Sequence, residues 1–293
     1  MNFSEGAAVI DDETRVFADP AEKTLLMGTA PKERQLSWGA TLAAWASYLF
    51  LIMPSLVIIP MSFGDKDEFQ FPPSSLSLYL YRQFFFDSTW MATTAQSFIV
   101  ATFTTVLSLA FGVSAAYGVV RSEFPGKRLL TIFLLSPLLV PVIVVALGLY
   151  LYCSTIGMTG TTFALVLGHT VHTTPFVIVM AMSGLRHVDP NLEAAARVMG
   201  AGPLLVMRRV TLPLLMPTII AAALFAFLVS FDEVVISYFI SSARTETLPV
   251  KMYSSIQWEI SPVLAAISAL LTLLSLIICV IASLLVRDES KGQ

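Results

Sequence analysis

The sequence predicts an all-α integral membrane protein with six transmembrane helices and one helical loop that leaves the bilayer between the fourth and the fifth. Three observations predict it. Only 13% of the 293 residues are charged while 56% are hydrophobic, and a soluble domain carries about 25% charged residues. The charges gather in short runs, so that the 57 residues between Arg128 and Arg186 contain no Lys, Arg, Asp or Glu; at about 1.5 Å per helical residue this allows two crossings and a turn. Finally, the charged stretch around Asp189–Pro213 lies between two long apolar segments and must therefore meet water.

Taken in order, residues 1–36 are polar and include Asp11, Asp12, Glu13 and Asp19. They lack an apolar core followed by a small-residue cleavage site, so they read as a soluble cytoplasmic tail and not as a cleaved signal peptide. Six spans follow at Gly39–Met61, Thr94–Val120, Leu129–Tyr152, Thr162–Met182, Leu214–Ile240 and Pro262–Val286. Lipid forces each to be helical, because an unpaired backbone group costs several kcal/mol there. Pro54, Pro137, Pro141, Pro175 and Pro217 lie inside these spans; neighbouring helices or water satisfy the carbonyls they free. Strand-like alternation is absent. Residues 37–287 thus form one membrane domain, with a loop at 186–213 and a short tail at 288–293.

Lys and Arg set the orientation. With the N-terminus inside, thirteen of the seventeen Lys and Arg fall on the inner side, and twelve against four remain when the distant Arg15 is left out. Both termini and the loop are expected to be cytoplasmic. A net charge of −3 and the lack of a basic stripe argue against nucleic-acid binding. Cys153 and Cys279 fall in or beside apolar segments and read as two small buried hydrophobes, without a disulfide or metal pattern.

In the loop, Asp189 suits an N-cap and Pro190 the first helical position, where its missing N–H is not needed. Leu192–Met199 suits a helix, and Gly200 suits the left-handed residue that ends it. A second short helix is expected over Leu204–Val210, stopping at Leu212-Pro213. Ala194, Ala195 and Ala196 offer a flat surface for close approach, Glu193 an acceptor, and Arg197 a partner one turn on. On these residues alone the loop is either a protein-docking helix or an amphipathic helix resting on lipid headgroups.

Glu193-Ala194-Ala195, a Gly seven residues after the Glu, and Leu212-Pro213 further on resemble the "EAA" coupling loop of inner-membrane permeases of type I ABC importers. Over about residues 40–286 the chain more closely resembles the second permease of polyamine (spermidine/putrescine) uptake systems. That likeness includes Ala115-Ala116-Tyr117 before Arg121, Phe124-Pro125-Gly126-Lys127-Arg128, the paired Pro137 and Pro141, and His169-Thr170-Val171 ahead of Pro175-Phe176. The resemblance implies that Glu193, Ala194, Ala195, Arg197, Gly200, Leu212 and Pro213 sit in a groove of a separate cytoplasmic ABC ATPase dimer. It further implies a second homologous permease, a periplasmic or lipid-anchored solute-binding protein, and an inner-membrane location. No Gly-x-x-x-x-Gly-Lys-Ser/Thr loop occurs in the sequence, so the chain is expected to be a transport subunit and not an enzyme, with ATP and Mg held by the partner.

Ser230-Phe231-Asp232-Glu233 places two carboxylates in an apolar run, in the outer third of the fifth span. A charge in the membrane is costly and normally faces a cavity or a partner. Asp232 reads as a cap on a shorter span, as a partner of a base such as Arg244, or as part of a cation pathway. The resemblance implies the last, with Ser230, Asp232 and Glu233 facing a polycation. His169 and His172 lie one turn apart but lack further ligands nearby, so helix packing is expected rather than a metal site. Tyr79–Phe86 suggests an outer interfacial helix, while Tyr253, Trp258 and Glu259 suit either lipid-interface anchoring or contact with a binding protein. The rival functions are an ABC permease for another small solute, an ion-coupled secondary transporter supported only by Asp232 and Glu233, and an intramembrane hydrolase for which no Gly-x-Ser-x-Gly or His-Glu-x-x-His pattern exists.

Overall fold

The computed structural model describes residues 38–65, 71–258 and 261–289. The expected N-terminal tail, Glu259, and the C-terminal tail from residue 290 on lie outside the described residues. Helix α1 is Trp38–Met61, α2 Tyr79–Phe86, α3 Ser88–Arg121, α4 Lys127–Leu135, α5 Val142–Thr155 and α6 Thr162–His187. They are followed by α7 Pro190–Val198, α8 Pro203–Val206, α9 Leu212–Phe231, α10 Val235–Ile240, α11 Leu248–Trp258 and α12 Val263–Glu289. Contacts divide the chain into Met1–Met53 and Pro54–Gln293, a boundary inside α1, and the packing that follows belongs to the second unit.

Among the described residues, five helical stretches are long and apolar enough to cross a membrane: Trp38–Met61, Ser88–Arg121, Thr162–His187, Pro203–Phe231 and Val263–Ile281. A further apolar pair, Lys127–Leu138 and Val142–Thr155, is long enough together but meets at 97°, the shape of a broken span or a re-entrant loop. The span expected over Leu129–Tyr152 is not one continuous helix. Ser136–Leu138 winds as a 3-10 turn, Pro141 is extended with ψ 131°, and neither Pro137 nor Pro141 has an N–H to continue the helical ladder.

Two further boundaries differ from expectation. The span expected over Leu214–Ile240 stops at Phe231 and restarts at Val235. Here the Glu233 carboxylate accepts the Ile236 N–H at 3.0 Å, which starts a new helix rather than extending the old one. At the other end, Leu212-Pro213 does not stop a helix. The chain passes from α8 through a π turn at Met207–Thr211 into α9, with Pro213 in its first turn. The wider turn accommodates a proline ring that has no N–H to give.

The centre of the bundle is α3 packed on α6 and α9. Alanines allow the approach: Ala116, Ala181, Ala222 and Ala226 share one buried cluster with Val113, Val177, Leu185 and Leu215, as expected where helices meet inside a membrane. At Gly112 a Cβ would lie 2.7 Å from Val177 Cγ1, so this contact admits only hydrogen. Some polar side chains bond between helices here, with Thr104 Oγ1 donating to the Val166 carbonyl at 3.4 Å and Ser97 Oγ accepting the Leu248 N–H of α11 at 2.8 Å. The short helix α2, expected at the interface, also buries Leu80 and Phe84 and packs on α12 and α3. Of the two cysteines, Cys153 is buried as expected, whereas Cys279 is exposed.

Candidate functional site

Asp189 Oδ1 accepts the Asn191 N–H at 2.9 Å and Pro190 follows at the first helical position, so α7 starts with one donor satisfied and one removed. Its other end is a left-handed turn. Gly200 has φ 86°, its N–H donates to the Arg197 carbonyl at 2.9 Å, and the Ala201 N–H donates to the Ala196 carbonyl at 3.1 Å. This pair of bonds is the Schellman arrangement, which a residue with a Cβ adopts only under strain.

Glu193 points inward. It is 3% exposed, and Oε1 accepts both Arg121 Nε–H and the Thr211 hydroxyl at 3.0 Å. Oε2 accepts the Tyr117 hydroxyl at 3.4 Å and lies 3.8 Å from Arg197 Nη2. Arg121 also donates through Nη2 to the Val188 carbonyl at 2.8 Å. The acceptor that the sequence offers to a partner is therefore engaged within the chain, on the ends of α3 and α9. Outward from it, Ala194, Ala195 and Arg197 are exposed, and so are Val198 at 88%, Met199 at 81% and Leu204 at 77%. Apolar side chains bared together on a charged loop mark an interaction surface. Leu212 is half-buried and Pro213 exposed, both in the first turn of α9. Trp258 closes α11 and is exposed, with Tyr253 one helical turn or so before it.

At the other end of α9 the helix breaks, and the three expected pathway residues separate into distinct roles. Ser230 is buried, its Oγ 2.9 Å from His169 Nδ1, while His169 Nε2 lies 2.8 Å from Ser237 Oγ. One imidazole thus ties α6 to both sides of the break, one ring nitrogen donating and the other accepting. Glu233 caps α10 and lies 3.6 Å from His172 Nε2. Asp232 sits at the C-terminal cap of α9 and, among the described residues, makes no ion pair, with Arg244 or any other base. It lines a cavity of about 430 Å³ together with Phe231, Glu233, Leu271, Leu274 and Ser275. Phe231, the one aromatic residue on that lining, stacks on Phe227 at 5.7 Å and meets Phe98 edge-on at 5.1 Å. No group of three His, Cys, Asp or Glu among the described residues could hold a metal.

Sequence reasoning missed Tyr117, Arg121 and Thr211 as partners of Glu193, and Ser237 as a partner of His169. Arg121 and Tyr117 lie 72 and 76 residues from Glu193, a distance at which no local periodicity signals contact. The one available hint was that both ended a span beside the same membrane face.

The chain matches the family of binding-protein-dependent transport system inner membrane components over residues 108–288. It is 28% identical over 248 residues to the spermidine/putrescine transport system permease protein PotC of Escherichia coli strain K12, covering 85% of this chain and 94% of PotC. Against the putrescine transport system permease protein PotI of the same strain it is 30% identical over 231 residues, 76% of this chain and 82% of PotI. Its fold is similar to that of a chain of a bacterial ABC transporter involved in the import of the acidic polysaccharide alginate, with a TM-score of 0.63 at 16% identity over 85% of this chain and 94% of that one. The chain therefore belongs to the binding-protein-dependent inner-membrane components, as a permease of an ABC importer.

Proposed function

We propose that this permease forms, with a second homologous permease, the pathway for a polyamine-type cation such as spermidine or putrescine, and that α7 docks on a cytoplasmic ABC ATPase dimer. The observation that carries the substrate class is Asp232, a carboxylate without an ion-pair partner among the described residues, on a cavity that Phe231 also lines at the break after α9. Relatives named for spermidine and putrescine transport support it. A polycation leaving water loses hydration that nearby negative charge and aromatic faces offset. The chain carries one such loop while an ATPase dimer offers two grooves, which calls for a second permease. ATP and Mg belong to the ATPase, a solute-binding protein outside delivers the amine, and both termini lie in the cytoplasm, following the Lys and Arg asymmetry.

The test is uptake into proteoliposomes holding the complete transporter, with radiolabelled spermidine, putrescine or a neutral disaccharide presented by the cognate binding protein. ATP-dependent amine uptake is expected, with Asp232→Asn lowering it by about tenfold per inserted molecule, the order of one charge-assisted contact. Uptake of the disaccharide and not of the amines would overturn the substrate class. Amine uptake driven without ATP would overturn the coupling.

A further inference from the structure

We propose that Glu193 is a positioning residue for transport: its carboxylate latches α7 to the ends of both α3 and α9, so that a displacement of α7 moves two spans as one body. The proposal rests on α7 being the ATPase-docking helix and deepens that reading, since it assigns Glu193 to the permease's interior.

Three features of the geometry carry it. First, α7 has little else to hold it, because Glu193 and Ala196 are its buried residues. Apolar packing through one alanine resists separation but not sliding, whereas hydrogen bonds of fixed direction resist both. Second, the carboxylate collects donors from elements far apart in sequence: Arg121 and Tyr117 on α3, and Thr211 at the π turn that leads into α9. Arg121 then reaches back to the Val188 carbonyl just before the Asp189 cap, so one guanidinium grips the loop at two points. That fork is specific to arginine, whose planar set of donors a lysine ammonium does not reproduce.

Third, the Thr211 contact bridges a weak point. The π turn Met207–Thr211 joins α8 to α9, and such turns interrupt the regular helical ladder and are where helices kink. Without the latch, movement of α7 and α8 would be absorbed there. With Thr211 fastened to Glu193, the same movement passes into α9, whose far end carries Ser230 and Asp232. Burying a carboxylate in this way is costly unless all its partners are kept, so the arrangement is expected to persist through the transport cycle rather than to open and close.

The experiment uses the full chain in proteoliposomes, with Cys153 and Cys279 replaced and spin labels on Ala195→Cys in α7 and Ser122→Cys at the end of α3. A single narrow distance distribution is expected, broadening in Glu193→Ala and Arg121→Lys and less so in Thr211→Val, which keeps its volume. In the assembled transporter, spermidine taken up per ATP hydrolysed should fall about tenfold in Glu193→Ala and Arg121→Lys, as for loss of a charge-assisted hydrogen bond. Tyr117→Phe, which removes the longest hydrogen bond to Glu193, should change the ratio by less than about threefold. Narrow distributions and an unchanged ratio in both Glu193→Ala and Arg121→Lys would overturn the latch. If the unsubstituted transporter takes up no spermidine, the substrate reading fails and the distance distributions decide the latch by themselves.

Discussion

Replacing Gly200 by alanine isolates one energy term, because a Cβ built there meets nothing within 4 Å while the backbone sits at φ 86°. The cost is then conformational alone. Left-handed backbone costs an L-residue about 1–2 kcal/mol relative to glycine, which corresponds to a roughly 5- to 30-fold shift in the population of the turn. Valine, branched at Cβ, should cost more, and asparagine, which tolerates this region, less. The reporters are the amides the turn protects: Met199, bonded to the Ala195 carbonyl at 3.1 Å, and Gly200 and Ala201, bonded at 2.9 and 3.1 Å. Hydrogen–deuterium exchange of the membrane-inserted protein should show the amides at 199–201 opening faster in the order wild type, Asn, Ala, Val, with the spans unchanged. Uptake per inserted molecule should fall in the same order, since α7 would present a frayed end to its partner. Exchange in Gly200→Val indistinguishable from wild type would refute the reasoning, as it would mean that no left-handed residue holds the turn.

Three other changes address separate links. Asp189→Ala removes the acceptor for Asn191 N–H at a cost of about 1 kcal/mol; exchange at the start of α7 should rise while Gly200 stays protected, and unchanged exchange would count against the cap. Gly112→Ala places a Cβ 2.7 and 2.9 Å from Val177 Cγ1 and Cβ, an overpacking of about 1–3 kcal/mol that outweighs the better helix propensity of alanine. The Tm of the solubilised protein should drop and recover on adding Val177→Ala, and an unshifted Tm would show that the helices separate freely. Glu233→Gln should lower uptake less than Asp232→Asn, because Glu233 is already committed to the Ile236 amide and His172; equal losses would place both carboxylates in the pathway.

Much of the architecture was legible because lipid leaves the chain few options. Apolar length alone located the spans, since a segment that long cannot be dissolved in water or left unpaired in hydrocarbon. The ends of α7 were legible for a related reason: Asp189-Pro190 and Gly200 act through local backbone geometry, within a turn of where they stand. The breaks were harder to see. Pro137 and Pro141 signalled disturbance but not a 97° bend, because in a membrane a proline kink is often tolerated and its size depends on the neighbours that satisfy the freed groups. The end of α9 at Phe231 was placed nine residues too late, since Val234-Val235-Ile236 continues the apolar run on which the span was judged.

Sequence by itself determined that this chain crosses the membrane and which charged loop leaves the bilayer between two spans, both of which follow from hydropathy, charge and local capping. What only the tertiary structure decided is the direction in which the charged side chains point. Glu193 is one acid on a polar helix, and nothing local distinguishes an exposed acceptor from a buried one. Its inward turn follows from Arg121 and Tyr117, brought to it by the packing of α3 on α6, and from Thr211, delivered by the π turn. Asp232 and Glu233, adjacent in sequence and lining the same cavity, are distinguished in the same way, one without an ion pair among the described residues and the other tied to His172 and α10. Burial and partnership are properties of the surroundings of a side chain, and in a helical bundle those surroundings come from residues dozens of positions away.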